Sequence, residues 1–185
     1  LCHNGDNDIC DSARGNAEHG GLSAFGREVV REMNRVGMMV DLSHAAESTF
    51  WQTLECSEKP VVCSHSSCRA QCDHPRNLTD EQMRALAAKG GVLQVTMYSG
   101  FLRKEGEATL DDFLAHLQHA IEVAGIDHVG IGTDFDGDGK VIGCSSASQL
   151  RNVTRELLRR GYAAADIEKI WGGNWLRVMQ EVQLA

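Results

Sequence analysis

The chain has 185 residues, 42% of them hydrophobic, and a formal net charge of −8. That length supplies one ordinary globular core and argues against two separate domains. The acidic balance, with no Lys/Arg cluster, argues against a nucleic-acid partner, because phosphate backbones are held by concentrated cationic faces.

No run approaches the roughly 18 consecutive apolar residues of a membrane span, and residues 1–20 are polar rather than signal-like. A cytoplasmic chain without a membrane span is the expectation. The seven cysteines form no Cys-x-x-Cys pair, so reduced thiols are expected rather than a disulfide framework or a zinc ribbon.

In chain order, Leu1-Cys2-His3 reads as the end of a strand entered midway, which points to a missing upstream segment. After the Gly21-Leu22-Ser23 turn, Val29, Val30, Met33 and Val36 have helical spacing. Continuous apolar runs at 37–44, 60–65, 91–97 and 128–134 read as buried strands. Thr79-Asp-Glu-Gln82 is a capping box that opens a helix over 79–89. Leu110, Phe113, Leu114, Leu117 and Ile121 mark another helix after Thr109, and 146–160, 163–170 and 173–182 read as further helices.

Strands alternating with helices predict an α/β fold with parallel strands, either a doubly wound sheet or part of a (β/α)8 barrel. Polar residues closing several strands favour the barrel, whose C-terminal rim is where such enzymes assemble their chemistry. His3, His44, His65 and Asp134 each close an expected strand. The expected fold is therefore the C-terminal part of a (β/α)8 TIM barrel, about five of its eight strands, with 1–185 as a single domain.

Gly130-Ile-Gly-Thr-Asp-Phe-Asp-Gly-Asp-Gly139 carries the densest polar motif. Asp134, Asp136, Asp138 and Gly139 match the first half of a calcium loop, but the twelfth position is Ser145 instead of a bidentate glutamate. A dinucleotide fingerprint fails at Phe135, where glycine is required. Asp134 then remains either a turn residue satisfying its own backbone or an acid delivered to the rim.

His44 and His65 end neighbouring strands. Each alone reads as a hydrogen-bonded rim histidine, whereas two imidazoles at one level suit a zinc-like ion. Asp41 falls on the other side of the strand alternation from His44, where its carboxylate can brace a neighbour. Arg76, in the long loop after His65, is either a solvated arginine paired with Asp73 or the capping box, or a bidentate grip for a substrate carboxylate. His19, His74, His116, His119 and His128 are read as structural.

Taken in order, Leu-Cys-His3-Asn, the 21–37 helix sequence, Val40-Asp-Leu-Ser-His44, Val62-Cys-Ser-His65-Ser-Ser, Arg76-Asn, Val129-Gly-Ile-Gly-Thr-Asp134-Phe-Asp-Gly and Gly173-Asn-Trp-Leu-Arg-Val resemble the C-terminal part of the membrane (renal-type) dipeptidase family. That family consists of zinc metallopeptidases on a barrel related to the amidohydrolases. The resemblance covers essentially the whole chain and implies hydrolysis of dipeptides with free amino and carboxyl ends at a binuclear zinc centre.

It implies that His44 and His65 bind one zinc. His3 would stabilise the oxyanion, Arg76 would hold the substrate's C-terminal carboxylate, and Asp134 would bind the amino end and carry the proton to the leaving amine. The family's His-x-Asp pair and bridging glutamate have no counterpart here, so the chain is expected to hold only part of the metal site. Cys72 has a counterpart in a family disulfide, but its partner position is Lys104.

The expected partners are a dipeptide substrate and the N-terminal half of the same enzyme, supplied by a missing segment or another chain, with a homodimer left open. Two other readings stand beside this one. The first is a related barrel amidohydrolase acting on N-acyl or D-amino-acid substrates. The second is an inactive half-barrel that serves as an interaction module.

Overall fold

The computed structural model describes residues 1–183. Helix α1 (Ala24–Val36) starts where the Ser23 hydroxyl accepts from the Gly26 N–H, and stops at Gly37, whose φ of 73° is left-handed. Strand β1 (Val40–Asp41) leads to α2 (Glu47–Cys56), then β2 (Val61–Ser66). The helix α3 (Asp80–Ala88) carries the full Thr79/Gln82 capping box, as its sequence predicts. Next come β3 (Val92–Thr96), the short α4 (Ser99–Leu102), α5 (Leu110–Ala124) and β4 (Val129–Gly132). The chain continues through α6 (Arg151–Arg159), α7 (Ala164–Glu168), a kinked link at Lys169–Gly173 where Gly172 leaves helical backbone, and α8 (Asn174–Gln183).

The four strands form one parallel sheet in the order β1-β2-β3-β4, with Val40 opposite Val61, Val62 opposite Val92, and Leu93 opposite Val129. An α/β fold with parallel strands is thus present, but with four strands among the described residues instead of five. Leu1-Cys2-His3 is not a strand. Its amino terminus donates to the Asp41 carbonyl at 3.1 Å beside β1, one contact without a ladder.

The first strand also ends earlier than its apolar run. Leu42 still donates its N–H to the Val62 carbonyl at 2.8 Å, but the Asp41 carboxylate captures the Ser43 N–H at 3.0 Å and His44 turns to a φ of 73°, so the chain leaves the sheet as a polar turn at Ser43 and His44.

The main core joins the two layers. Phe50 of α2, Met83 and Leu86 of α3, and Phe113, Leu114 and Leu117 of α5 are buried with Cys63, Leu93, Val95 and Val129 of the sheet. A smaller cluster joins Val62 and Val92 to Val178 and Val182 of α8.

The sheet is strongly curled. Next-but-one strands of a flat sheet lie roughly 9–10 Å apart, yet a Cβ added at Gly132 of β4 would collide with the Ser64 carbonyl of β2. Gly132, which matches the second glycine of the fingerprint that fails at Phe135, is therefore needed for a close approach of backbones, which draws the strand ends toward one another.

Candidate active site

The curl gathers the strand ends around a cavity of about 290 Å³. Its lining includes His3, His44, Arg76, Tyr98, Phe101 and Asp134. A larger open depression of about 600 Å³ between α5 and α7 gathers no comparable set, since its Arg160 is paired with Asp111 at 2.6 Å.

His44 lines the cavity, and its Nε2 atom lies 2.8 Å from that of His65. The ring of His3 stacks at a tilt on His44, with 4.3 Å between centroids. Ser12 holds this end together, its hydroxyl donating to the His3 carbonyl at 2.6 Å and lying 3.2 Å from that of His44.

Backbone strain marks the same place. His44 and Asp134 both adopt left-handed φ values, 73° and 58°, which side chains with a Cβ rarely take and which collect at functional sites. Asp134 is fixed by its own turn, where its carbonyl accepts from the Gly137 and Gly139 N–H groups at 2.9 and 2.7 Å.

Arg76 is neither solvated nor paired with Asp73 or the capping box. It is 3% exposed and makes no ion pair among the described residues. One Nη donates to the His65 carbonyl at 3.3 Å, the guanidinium lies 5.2 Å from the Phe101 ring centroid, and Nε has no partner. Burial pushes its pKa down to about 10, so it keeps its charge at neutral pH. Asn77 anchors the loop that delivers it, donating to the Cys72 and Phe101 carbonyls at 2.8 Å each.

Burial first, and then the charges of Arg76, His65 and His3, push His44 down to about 3. Burial likewise lowers His65 and raises Asp134. A histidine that is neutral at physiological pH presents a lone pair, which is the form a metal requires.

The shift also has a stability consequence. An unfolded histidine titrates near 6.5, so His44 favours the folded chain fully above that pH. The contribution is lost as pH falls toward 3, because only the unfolded chain takes up the proton. The urea midpoint of the metal-free protein is therefore expected to be lower at about pH 5 than at about pH 7.5, with a smaller difference in His44→Gln.

The donor chemistry fits part of a zinc site. Two neutral imidazole nitrogens converge, and the buried Nδ1 of His44 has no partner. Among the described residues no three His, Cys, Asp or Glu side chains cluster as a ligand set. All seven cysteines are free thiols, Cys72 included.

The histidines read as structural have protein partners. His116 bridges the Cys68 N–H and the Leu102 carbonyl, His119 meets Asp80, His128 meets the Gly91 carbonyl, His19 meets that of Asn7, and His74 accepts from the Arg76 N–H. Asp136 is exposed in the turn, whereas Asp138, which ends that turn, lines the cavity.

Sequence reasoning did not single out Tyr98, Phe101, Asn4 or Arg14 as cavity residues. Tyr98 follows β3, so the strand-end rule that found His65 extends to it. Arg14 and Asn4 sit in irregular backbone that carries no periodic signal.

No helix among the described residues is long and apolar enough to cross a membrane. The model of the family described as membrane dipeptidase, peptidase family M19, matches residues 1–185. An uncharacterized dipeptidase of Schizosaccharomyces pombe is 41% identical over 191 residues, covering 100% of this chain and 46% of its own length. Dipeptidase verJ of Clonostachys rogersoniana is 42% identical over 188 residues, covering 99% and 47%.

Among solved structures, the probable dipeptidase PvdM from Pseudomonas aeruginosa superposes with a TM-score of 0.97 at 31% identity, over 100% of this chain and 62% of that one. A metallo peptidase from Rhodobacter sphaeroides, liganded with a phosphinate mimic of the dipeptide L-Ala-D-Ala, gives a TM-score of 0.84 at 32% identity, over 88% and 47%. The chain spans about half the length of the curated relatives it matches. With a match along its whole length and relatives above 40% identity, the chain belongs to the membrane dipeptidase family, peptidase family M19.

Proposed function

We propose that residues 1–185 form one domain, the C-terminal part of a (β/α)8 barrel, carrying one side of the active site of a zinc-dependent dipeptidase. Strand order supports the barrel, since β1 to β4 follow one another without the reversal that defines a doubly wound sheet, and the sheet is curled. The remaining strands and metal ligands come from the rest of the enzyme, in keeping with relatives about twice as long.

The observation that carries this reading is Arg76, a buried guanidinium without an anionic partner among the described residues, lining the same cavity as Asp134. A buried charge is costly unless paired, and a planar donor fork fits a carboxylate in two-point contact. A cation and an anion in one small cavity match a substrate with a free carboxylate at one end and an ammonium at the other. That pairing favours a dipeptide over an N-acyl substrate, which has no ammonium for Asp134 to bind.

His44 and His65 would hold one zinc, and the metal centre supplies activated water and a polarised carbonyl. His3, stacked on His44, donates to the oxygen that gains negative charge. Asp134, with its pKa raised by burial, accepts a proton and returns it to the leaving amine.

The test joins this chain to an upstream half bearing the remaining ligands. The complete protein is expected to bind about two zinc ions, cleave dipeptides, lose activity to a chelator and regain it with zinc. A complete protein that binds zinc and leaves dipeptides intact overturns the assignment in favour of another substrate or an interaction module.

A further inference from the structure

This inference rests on the reading of His44 and His65 as metal ligands. Ser64 stands between a carboxylate and an imidazole, its Oγ 2.5 Å from Asp41 Oδ2 and 2.8 Å from His65 Nδ1. A hydroxyl has one proton to give, and a carboxylate only accepts. The other carboxylate oxygen, Oδ1, already accepts the Ser43 and Ser64 N–H groups at 3.0 Å each. Ser64 therefore donates to Asp41 and turns a lone pair toward His65. For that short contact to be a hydrogen bond, Nδ1 must hold the ring's proton, which leaves Nε2 bare and aimed at His44 Nε2, 2.8 Å away.

We propose that Asp41 and Ser64 form a relay across β1 and β2 that locks His65 as its Nδ1–H tautomer and keeps Nε2 open to the metal. Both are positioning residues, acting through His65. An unrestrained neutral histidine holds its proton mainly on Nε2, the atom that must be bare to ligate, so the relay reverses the ring's intrinsic preference. Ligating histidines commonly donate their second N–H to an oxygen that fixes the ring. Here the oxygen is a serine hydroxyl, itself fixed by a carboxylate that also holds the backbone of β2 at Ser64 and of the turn after β1 at Ser43. The His65 N–H, donating to Ser43 Oγ at 2.9 Å, pins the residue from its other side.

The test uses the full-length protein in metal-free form, with long-range proton–nitrogen NMR of its histidine side chains. His65 is expected as the Nδ1–H tautomer. Ser64→Ala, which removes one hydroxyl, should move it toward Nε2–H and weaken zinc affinity about 10- to 100-fold, with an unchanged far-UV circular dichroism spectrum. Ser64→Thr, which keeps the hydroxyl, should restore both. Asp41→Asn should act like Ser64→Ala, and if it unfolds, the serine pair alone decides. His65 as Nε2–H in the unmutated protein overturns the relay, and so does an affinity loss in Ser64→Ala without a tautomer change. The spectrum needs neither zinc nor dipeptide, so its outcome is separate from whether the enzyme cleaves dipeptides.

Discussion

Replacing Arg76 by leucine in the complete enzyme is expected to lower kcat/KM for a dipeptide about a thousandfold, near 4 kcal/mol, within the range for truncating one partner of a buried, hydrogen-bonded charge pair. Size at the position is roughly preserved, and no native ion pair is lost, because the guanidinium has none among the described residues. The loss therefore falls on whatever anion the site receives.

A second substrate makes the test specific. A dipeptide amide has no terminal carboxylate, so the unmutated enzyme and Arg76→Leu should cleave it at similar, low rates. Arg76→Lys should recover only part of the difference, because an ammonium keeps the charge but not the two-point fork. If Arg76→Leu slows the dipeptide and its amide equally, Arg76 is shaping the cavity instead of reading a carboxylate, and the dipeptidase assignment loses its main support.

How far the sequence disclosed this site follows from where each residue sits. His44, His65 and Asp134 were legible because each directly follows an apolar run or closes one, and a buried strand with a polar end is a strong pattern. The ends of those strands were less legible. The run at 37–44 looks continuous, but Asp41 diverts the backbone by a local hydrogen bond that hydropathy does not register.

Helix α2 was not singled out, as Ala46 gives it no side-chain cap. Leu1-Cys2-His3 lies beside β1 through a single amino-terminal contact, which resembles a strand in sequence and lacks the ladder in space. The burial of Arg76 was not legible at all. It depends on Asn77 tying its loop to Cys72 and Phe101, and Phe101 lies on α4, beyond the next strand. The carboxylate of Asp41 could be expected to brace a neighbour, but which neighbour, and through which hydroxyl, required the register of β1 on β2.

Asp134→Asn is expected to lower kcat in the complete enzyme about a thousandfold, within the range for removing a positioned general acid–base group. Asp138→Asn should stay within about threefold of the unmutated rate. The contrast is demanding because both aspartates line the cavity. They differ in burial, since Asp134 is half-buried beside His65 and Arg76 whereas Asp138 is exposed and closes the turn with a φ of 66°. Asparagine also tolerates left-handed backbone, so both variants should keep the loop shape and isolate the loss of the carboxylate.

The pH profile separates the chemical role from a structural one. Asp134 must be ionised in the free enzyme to receive a proton, and burial raises its pKa. kcat/KM should therefore fall as pH drops through a value above the usual carboxylate range, and that limb should vanish in Asp134→Asn while persisting in Asp138→Asn. Equal losses in the two variants, or an acid limb that survives in Asp134→Asn, would mean that the proton moves through a different group and that the Gly130–Gly139 stretch serves only to shape the rim.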